Sequence, residues 1–216
     1  MRHTLPVKKW FEPIAAGEKY VRDLPKEPEQ TVARSLTVNA DVPLNAIYMA
    51  FKMPARLDAN YQVFDLLSDI LSQGQSSRLF NSLLKEQKLF SEINAYITSS
   101  LDEGLFVVEG KLVAGVSMET AEKAIWVELQ KMVDSPVTAN ELTKVKNKSE
   151  SIVVFAEMSL LDKAMNLAYY ELLGDAAGLN AEIDKYLAIT ATQIQNAAKN
   201  TFTKEKSSTL YYLANA

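Results

Sequence analysis

Cysteine is absent from this 216-residue chain, which removes disulfides, thiolate nucleophiles and sulfur-ligated metals together. Histidine is almost absent too: His3 is the only one. Catalytic zinc sites commonly draw on two or three imidazoles, and a Ser-His-Asp triad needs one beside its nucleophile, so neither can be built from this chain alone. The seven glycines form neither a phosphate loop nor a dinucleotide fingerprint, since Gly110 and Gly115 are not followed by Lys-Ser or Lys-Thr. A net charge of −4 leaves no basic excess with which to neutralise a phosphate backbone, which speaks against nucleic acid as a partner. No apolar run is long enough to cross a bilayer, and Lys8, Lys9, Glu12 and Glu18 stand where a secretion signal would be apolar. Membrane insertion is not expected, and bacterial cytoplasm and periplasm both stay open as compartments.

What is present is ordinary globular material, 48% hydrophobic and 23% charged, enough for a large core. A short helical piece, Val7 to Ile14, precedes a linker containing Pro25 and Pro28. Thr31 to Val42 and Ala46 to Met53 read as two strands separated by the turn at Asp41-Val42-Pro43. From Asp58, a candidate N-cap, Val63, Phe64, Leu67, Ile70 and Leu71 recur at helical spacing until Gly74. A second helix is predicted from Ser76 or Ser77, with Leu79, Phe80, Leu83 and Leu84 as its buried stripe. Ile93, Ala95 and Ile97 alternate with polar neighbours, and Asp102-Glu103-Gly104 joins them to the apolar segment Leu105 to Leu112 as a hairpin.

Beyond Gly115 the pattern turns helical, each helix opened by a side chain able to accept orphan amide hydrogens. Ser117, Thr138 with Glu141, Ser159, and Thr190 with Gln193 are those openers, and Thr209 to Leu213 reads as a last strand. Strands joined by short turns and helices gathered in a block predict an α+β fold: a two-layer domain with a mainly antiparallel sheet and helices packed largely on one face.

The candidate chemistry is thin. Asp65 with Asp69, Glu86 with Glu92, and Glu103 with Glu109 are paired acids that solvated helix faces and turns account for. Lys144, Lys146 and Lys148 near Glu141 and Glu150 read as an ion-paired helix surface, and Tyr169, Tyr170, Tyr211 and Tyr212 as packing aromatics. From the residues themselves no active site emerges.

The stretch Gly74-Gln75-Ser76-Ser77-Arg78-Leu79-Phe80-Asn81-Ser82-Leu83-Leu84-Lys85-Glu86-Gln87 resembles a segment in the second homologous half of insulinase/pitrilysin-type zinc metallopeptidases, mitochondrial-processing-peptidase-like proteins included. Further pieces match that pattern in order. Leu101-Asp102-Glu103-Gly104-Leu105-Phe106 is similar to the family's hairpin, and Glu141-Leu142 to Lys144-Val145-Lys146-Asn147 to its capped helix. Ile189-Thr190 to Ala197-Ala198-Lys199 is similar to its final helix, and Lys9-Trp10-Phe11-Glu12-Pro13-Ile14 to the end of the preceding half. The resemblance implies that residues 1–28 are the end of a preceding half and a linker, and 29–216 the zinc-free C-terminal domain.

In that family the first half carries His-x-x-Glu-His and the zinc, and the second closes over it to enclose a chamber in which peptide extends a sheet edge of the zinc-bearing half. The present chain is therefore expected to hold no metal and no catalytic residue. Its partner would be a zinc-bearing half, on the same polypeptide or a separate subunit, and its ligand a peptide substrate. A purely structural assembly subunit of the same fold is the alternative. Active second halves place an Arg and, seven residues on, a Tyr against the substrate. By the match Lys85 stands for the Arg, keeping charge without the guanidinium fork, and Ser91 or Glu92 stands for the Tyr, depending on one gap. Arg78 is a further candidate, weighed against a structural role near the helix start.

Overall fold

The computed structural model describes residues 4–15, 17–18, 23–98 and 101–215, so His3 lies outside the described residues. Its sheet is built from β1 (Arg34–Ala40), β2 (Ala46–Met53), β3 (Phe90–Ile97), β4 (Gly104–Leu112) and β5 (Ser208–Ala214), in the spatial order β1-β5-β2-β4-β3. Neighbours run antiparallel except β1 with β5. The expected hairpin of β3 and β4 is present. The expected neighbour of β1 is not: β5 inserts between β1 and β2, pairing Leu36 with Leu210 on one side and Leu210 with Tyr48 on the other. A short loop makes sequential pairing easy but does not compel it, and β5 gives both strands a partner.

The helices are α1 (Thr4–Phe11), α2 (Tyr61–Ser72), α3 (Met118–Asp134), α4 (Ala139–Ala156), α5 (Leu160–Leu173), α6 (Glu182–Ala188) and α7 (Ala191–Thr201). All four openers predicted for the later helices act as caps: Ser117 accepts from Thr120 N, and Thr138 and Thr190 form capping boxes with Glu141 and Gln193. Ser159 caps α5 in the same way by accepting from Asp162 N. Asp58 does not cap α2. The helix begins three residues later behind Asn60, whose amide Asp58 accepts at 2.8 Å to close the preceding turn.

The helix predicted from Ser76 is instead a π-helical segment, Phe80–Glu86. Its wider winding breaks the predicted stripe: Leu79 and Leu83 are fully buried, whereas Phe80 and Leu84 are only partly so.

The strand alternation decides where the core lies. Ile47, Met49, Phe51 and Met53 of β2, and Phe106, Val108 and Leu112 of β4, are buried beneath α2, α3 and α7, while Tyr48, Lys52, Glu109 and Lys111 point away from that core. An α+β two-layer domain with helices on one face is therefore the observed architecture. Phe202, just past α7, wedges edge-on between Phe51 and Phe106, each ring centroid 5.2 Å from its own. Gly110 of β4 leaves room for the Phe90 ring, which an added Cβ would approach to 2.6 Å.

The N-terminal helix α1 packs on none of this. Its apolar stripe, Val7, Trp10 and Phe11, stays exposed, with Ile14 just beyond. Replacing the buried wedge and an exposed phenylalanine should behave oppositely: Phe202→Ala is expected to cost about 3–5 kcal/mol in urea-monitored unfolding, and Phe155→Ala less than about 0.5 kcal/mol.

Candidate functional site

The turn from the π-helical segment into β3 brings the family-suggested positions into one stretch of chain. Lys85 lies on the last turn of that segment, exposed, with no hydrogen bond or ion pair to a described residue. Lys88 then adopts a left-handed conformation, φ 53°, which swings the chain into β3. Leu89 N donates to Leu83 O at 3.0 Å, holding the turn against the segment it leaves.

Ser91 sits where the register with β4 slips between Phe90 and Glu92, so it is the extra residue of a β-bulge. Its hydroxyl donates to Lys111 O at 3.2 Å. Glu92 pairs with Lys111 at 2.8 Å, and the Lys111 ammonium holds its carboxyl below the usual carboxylate range. Both partners are more than half exposed, so the pair orients the two side chains more than it stabilises the fold.

The helix-free face around them is polar and phenolic. Tyr48, Glu92, Glu109, Gly110 and Lys111 line a small depression, and Tyr96 Oη donates to Glu109 at 3.2 Å. Burial, together with that carboxylate, pushes the Tyr96 phenol up. Ser91 and Glu92 are thus brought together with Lys111. Arg78 is not brought to them.

Arg78, just before the π-helical segment, donates to both oxygens of Glu141, at 2.7 and 3.0 Å. Glu141 also accepts from Thr138 N as the returning half of the α4 capping box. The Arg78 hydrogen bonds, helped by those from Thr138, hold its carboxyl down at about 2. The predicted lysine surface also differs. Lys144, Lys146 and Lys148 reach Ser76 Oγ, Leu187 O and Asp69, so they link α4 to other elements instead of pairing along it.

One cluster escaped sequence reasoning. Arg56, in the loop after β2, donates to Glu182 Oε1 at 2.8 Å and to Tyr170 Oη at 3.0 Å, and lies 4.6 Å over the Tyr61 ring. Gln62 donates to the same Glu182 oxygen at 3.1 Å. Burial alone would raise the Glu182 carboxyl; the hydrogen bonds from Gln62, Arg56 and Tyr170 outweigh it and bring it below its ordinary value. Arg56 and Glu182 stand 126 positions apart, so no local spacing announces them. Among the described residues, no group of three or more His, Cys, Asp or Glu side chains could hold a metal ion.

The profile of the family described as the peptidase M16 inactive domain matches residues 7–149. The chain belongs to that family. It is similar to the zinc protease PqqE of Helicobacter pylori, 27% identical over 94% of this chain and 47% of the relative. The crystal structure of a protease from Helicobacter pylori is likewise similar, with a TM-score of 0.89 and 26% identity, covering 98% of this chain and 52% of that one. A peptidase M16 inactive domain from Pseudomonas fluorescens shares the fold, with a TM-score of 0.75 and 18% identity over 93% of this chain and 47% of that one. The chain thus spans about half the length of these relatives. The α+β fold anticipated from the motifs is the fold of the M16 inactive half.

The Arg78–Glu141 bolt carries a pH signature. A carboxyl held below its unfolded value adds stability that is present above about pH 4.5 and is lost as pH falls toward about 2. Arg78→Ala is expected to cost about 2 kcal/mol at pH 7, and the gap from the parent should narrow progressively below pH 4.5 in urea titrations.

Proposed function

We propose that this chain is the non-catalytic half of a zinc-dependent peptidase, completing the substrate chamber and positioning peptide for a zinc-bearing partner half. The observation that carries this reading is membership of the M16 inactive-domain family in a chain about half as long as its zinc-protease relative. The partner, an M16 half with the His-x-x-Glu-His motif on the same polypeptide or a separate subunit, supplies the zinc-activated water and its general base. In this reading residues 1–28 are the end of the preceding half with its linker, and 29–216 the domain proper.

Within the domain, Lys85 is the substrate-facing candidate, because its ammonium is exposed and engaged by no described neighbour. Ser91 and Glu92 follow it in the chain on the bulge, and Glu92 has its charge offset by Lys111. A carboxylate here is suited to a peptide amine or basic side chain, not to an oxyanion. Arg78 serves as a positioning residue, its guanidinium occupied by Glu141. One observation favours a second reading, an assembly subunit with no part in peptide binding: no phenol occupies Ser91 or Glu92.

The two readings part experimentally. The isolated chain with zinc should cleave no peptide, and turnover there would sink both. In the assembled pair, Lys85→Ala should raise KM for peptide about three- to tenfold, as expected for one lost charge contact of about 1 kcal/mol. Unchanged KM and kcat would leave only the assembly role.

A further inference from the structure

On the helical side of the domain a groove of about 470 Å³ lies between α3 and the end of α7. Positions 123, 126, 127, 130 and 133 of α3 form one wall. They share one helix face, and ten residues at about 1.5 Å rise make that wall about 15 Å long. The apolar lining is Trp126, Val127 and Val133 with Phe202 opposite, and Val127 is 48% exposed. Three lysines complete it, Lys123 on α3 and Lys199 and Lys204 on the other wall, and no acid among the described residues lines it. Their ammonium groups make no hydrogen bond or ion pair with a described residue. Glu122, next to Lys123, is instead held by Trp126 Nε1 at 3.3 Å and Tyr211 Oη at 2.8 Å. The walls are fixed. Gln195 Nε2 donates to Val133 O at 3.0 Å, Trp126 meets Phe51 edge-on at 5.8 Å, and Phe202 is wedged in the core. A preformed apolar concavity with a few convergent charges has the makeup of a ligand site.

We propose that this groove binds an extended acidic peptide segment, an apolar side chain seated on Trp126 and Val127 and flanking carboxylates on Lys123, Lys199 and Lys204. The chemistry of the groove selects that occupant. At about 3.3–3.6 Å per residue, its length takes four or five residues of extended chain, more than a single anion needs. Phosphate is poorly served: no arginine and no helix N-terminus lines the groove, and the carbonyl end of α7 at Phe202 opposes a concentrated double charge. Single carboxylates spread along a peptide suit separate ammonium groups instead. This chemistry is independent of the peptidase pairing proposed above.

Trp126 is a built-in reporter, because Trp10 is the only other tryptophan and Trp10→Phe removes it. In that background the blocked peptide Glu-Glu-Leu-Asp-Glu should shift Trp126 emission saturably, and its amide counterpart Gln-Gln-Leu-Asn-Gln should bind at least about tenfold more weakly. Lys123→Gln, Lys199→Gln and Lys204→Gln should each weaken binding about threefold, as expected for exposed charge contacts, and Lys163→Gln on α5 should leave it unchanged. Raising NaCl from about 0.05 M to about 0.5 M should weaken it about tenfold.

No saturable emission change with the acidic peptide, or equal affinity for its amide counterpart, would overturn the assignment. Tighter saturation by inorganic phosphate than by peptide would overturn it in favour of a phosphate site. A loss with Lys163→Gln as large as with Lys199→Gln would overturn it as binding set by net charge alone.

Discussion

The structure hangs on helix α2. Its inner face supplies Val63, Phe64, Leu67, Ile70 and Leu71 to the core over the sheet, and so little of its circumference meets water that Gln62 and Ser68 are buried as well. A helix enclosed on that scale must satisfy its own polar side chains within the protein, and α2 does so with outward links. Gln62 reaches Glu182, Asp65 accepts from Tyr186 and Asp69 from Lys148. Burial raises the Asp69 carboxyl, and the Lys148 ammonium opposes it. Through these contacts α4 and α6 are fastened to the sheet at second hand.

Local chemistry was readable wherever a short-range rule governed it. The capping boxes at Thr138 and Thr190 and the β3–β4 hairpin depend on residues within a few positions of one another. The motif around Gly74 to Gln87, together with the pieces that match in order beside it, pointed to the family, yet it did not show that its helical part winds as a π-helix. The placement of β5 and the Arg56–Glu182 cluster join positions far apart in the chain, and the pattern at either end is silent about its partner. For the candidate site the division is similar. Arg78, a substrate candidate weighed against a structural role, binds Glu141, and nothing in the sequence identifies Lys111 as the residue facing Glu92.

The electrostatics of the region also sort by burial. Arg78 with Glu141 and Arg56 with Glu182 are shielded, so their geometry contributes to the fold. Lys85, Glu92 and Lys111 are open to water and free to rearrange at little cost.

The position of β5 bears on how the molecule is made. Gln30, just ahead of β1, hydrogen-bonds to Glu205 O, 175 residues further along, and β5 then lies between β1 and β2. While the ribosome is still producing the intervening helices, β1 has no neighbour, and the β2 edge that will receive β5 is uncovered. Both edges must wait unpaired through most of synthesis. Completion of the sheet is therefore a late, non-local event, and the nascent chain is most exposed to mispairing with other strands shortly before β5 emerges.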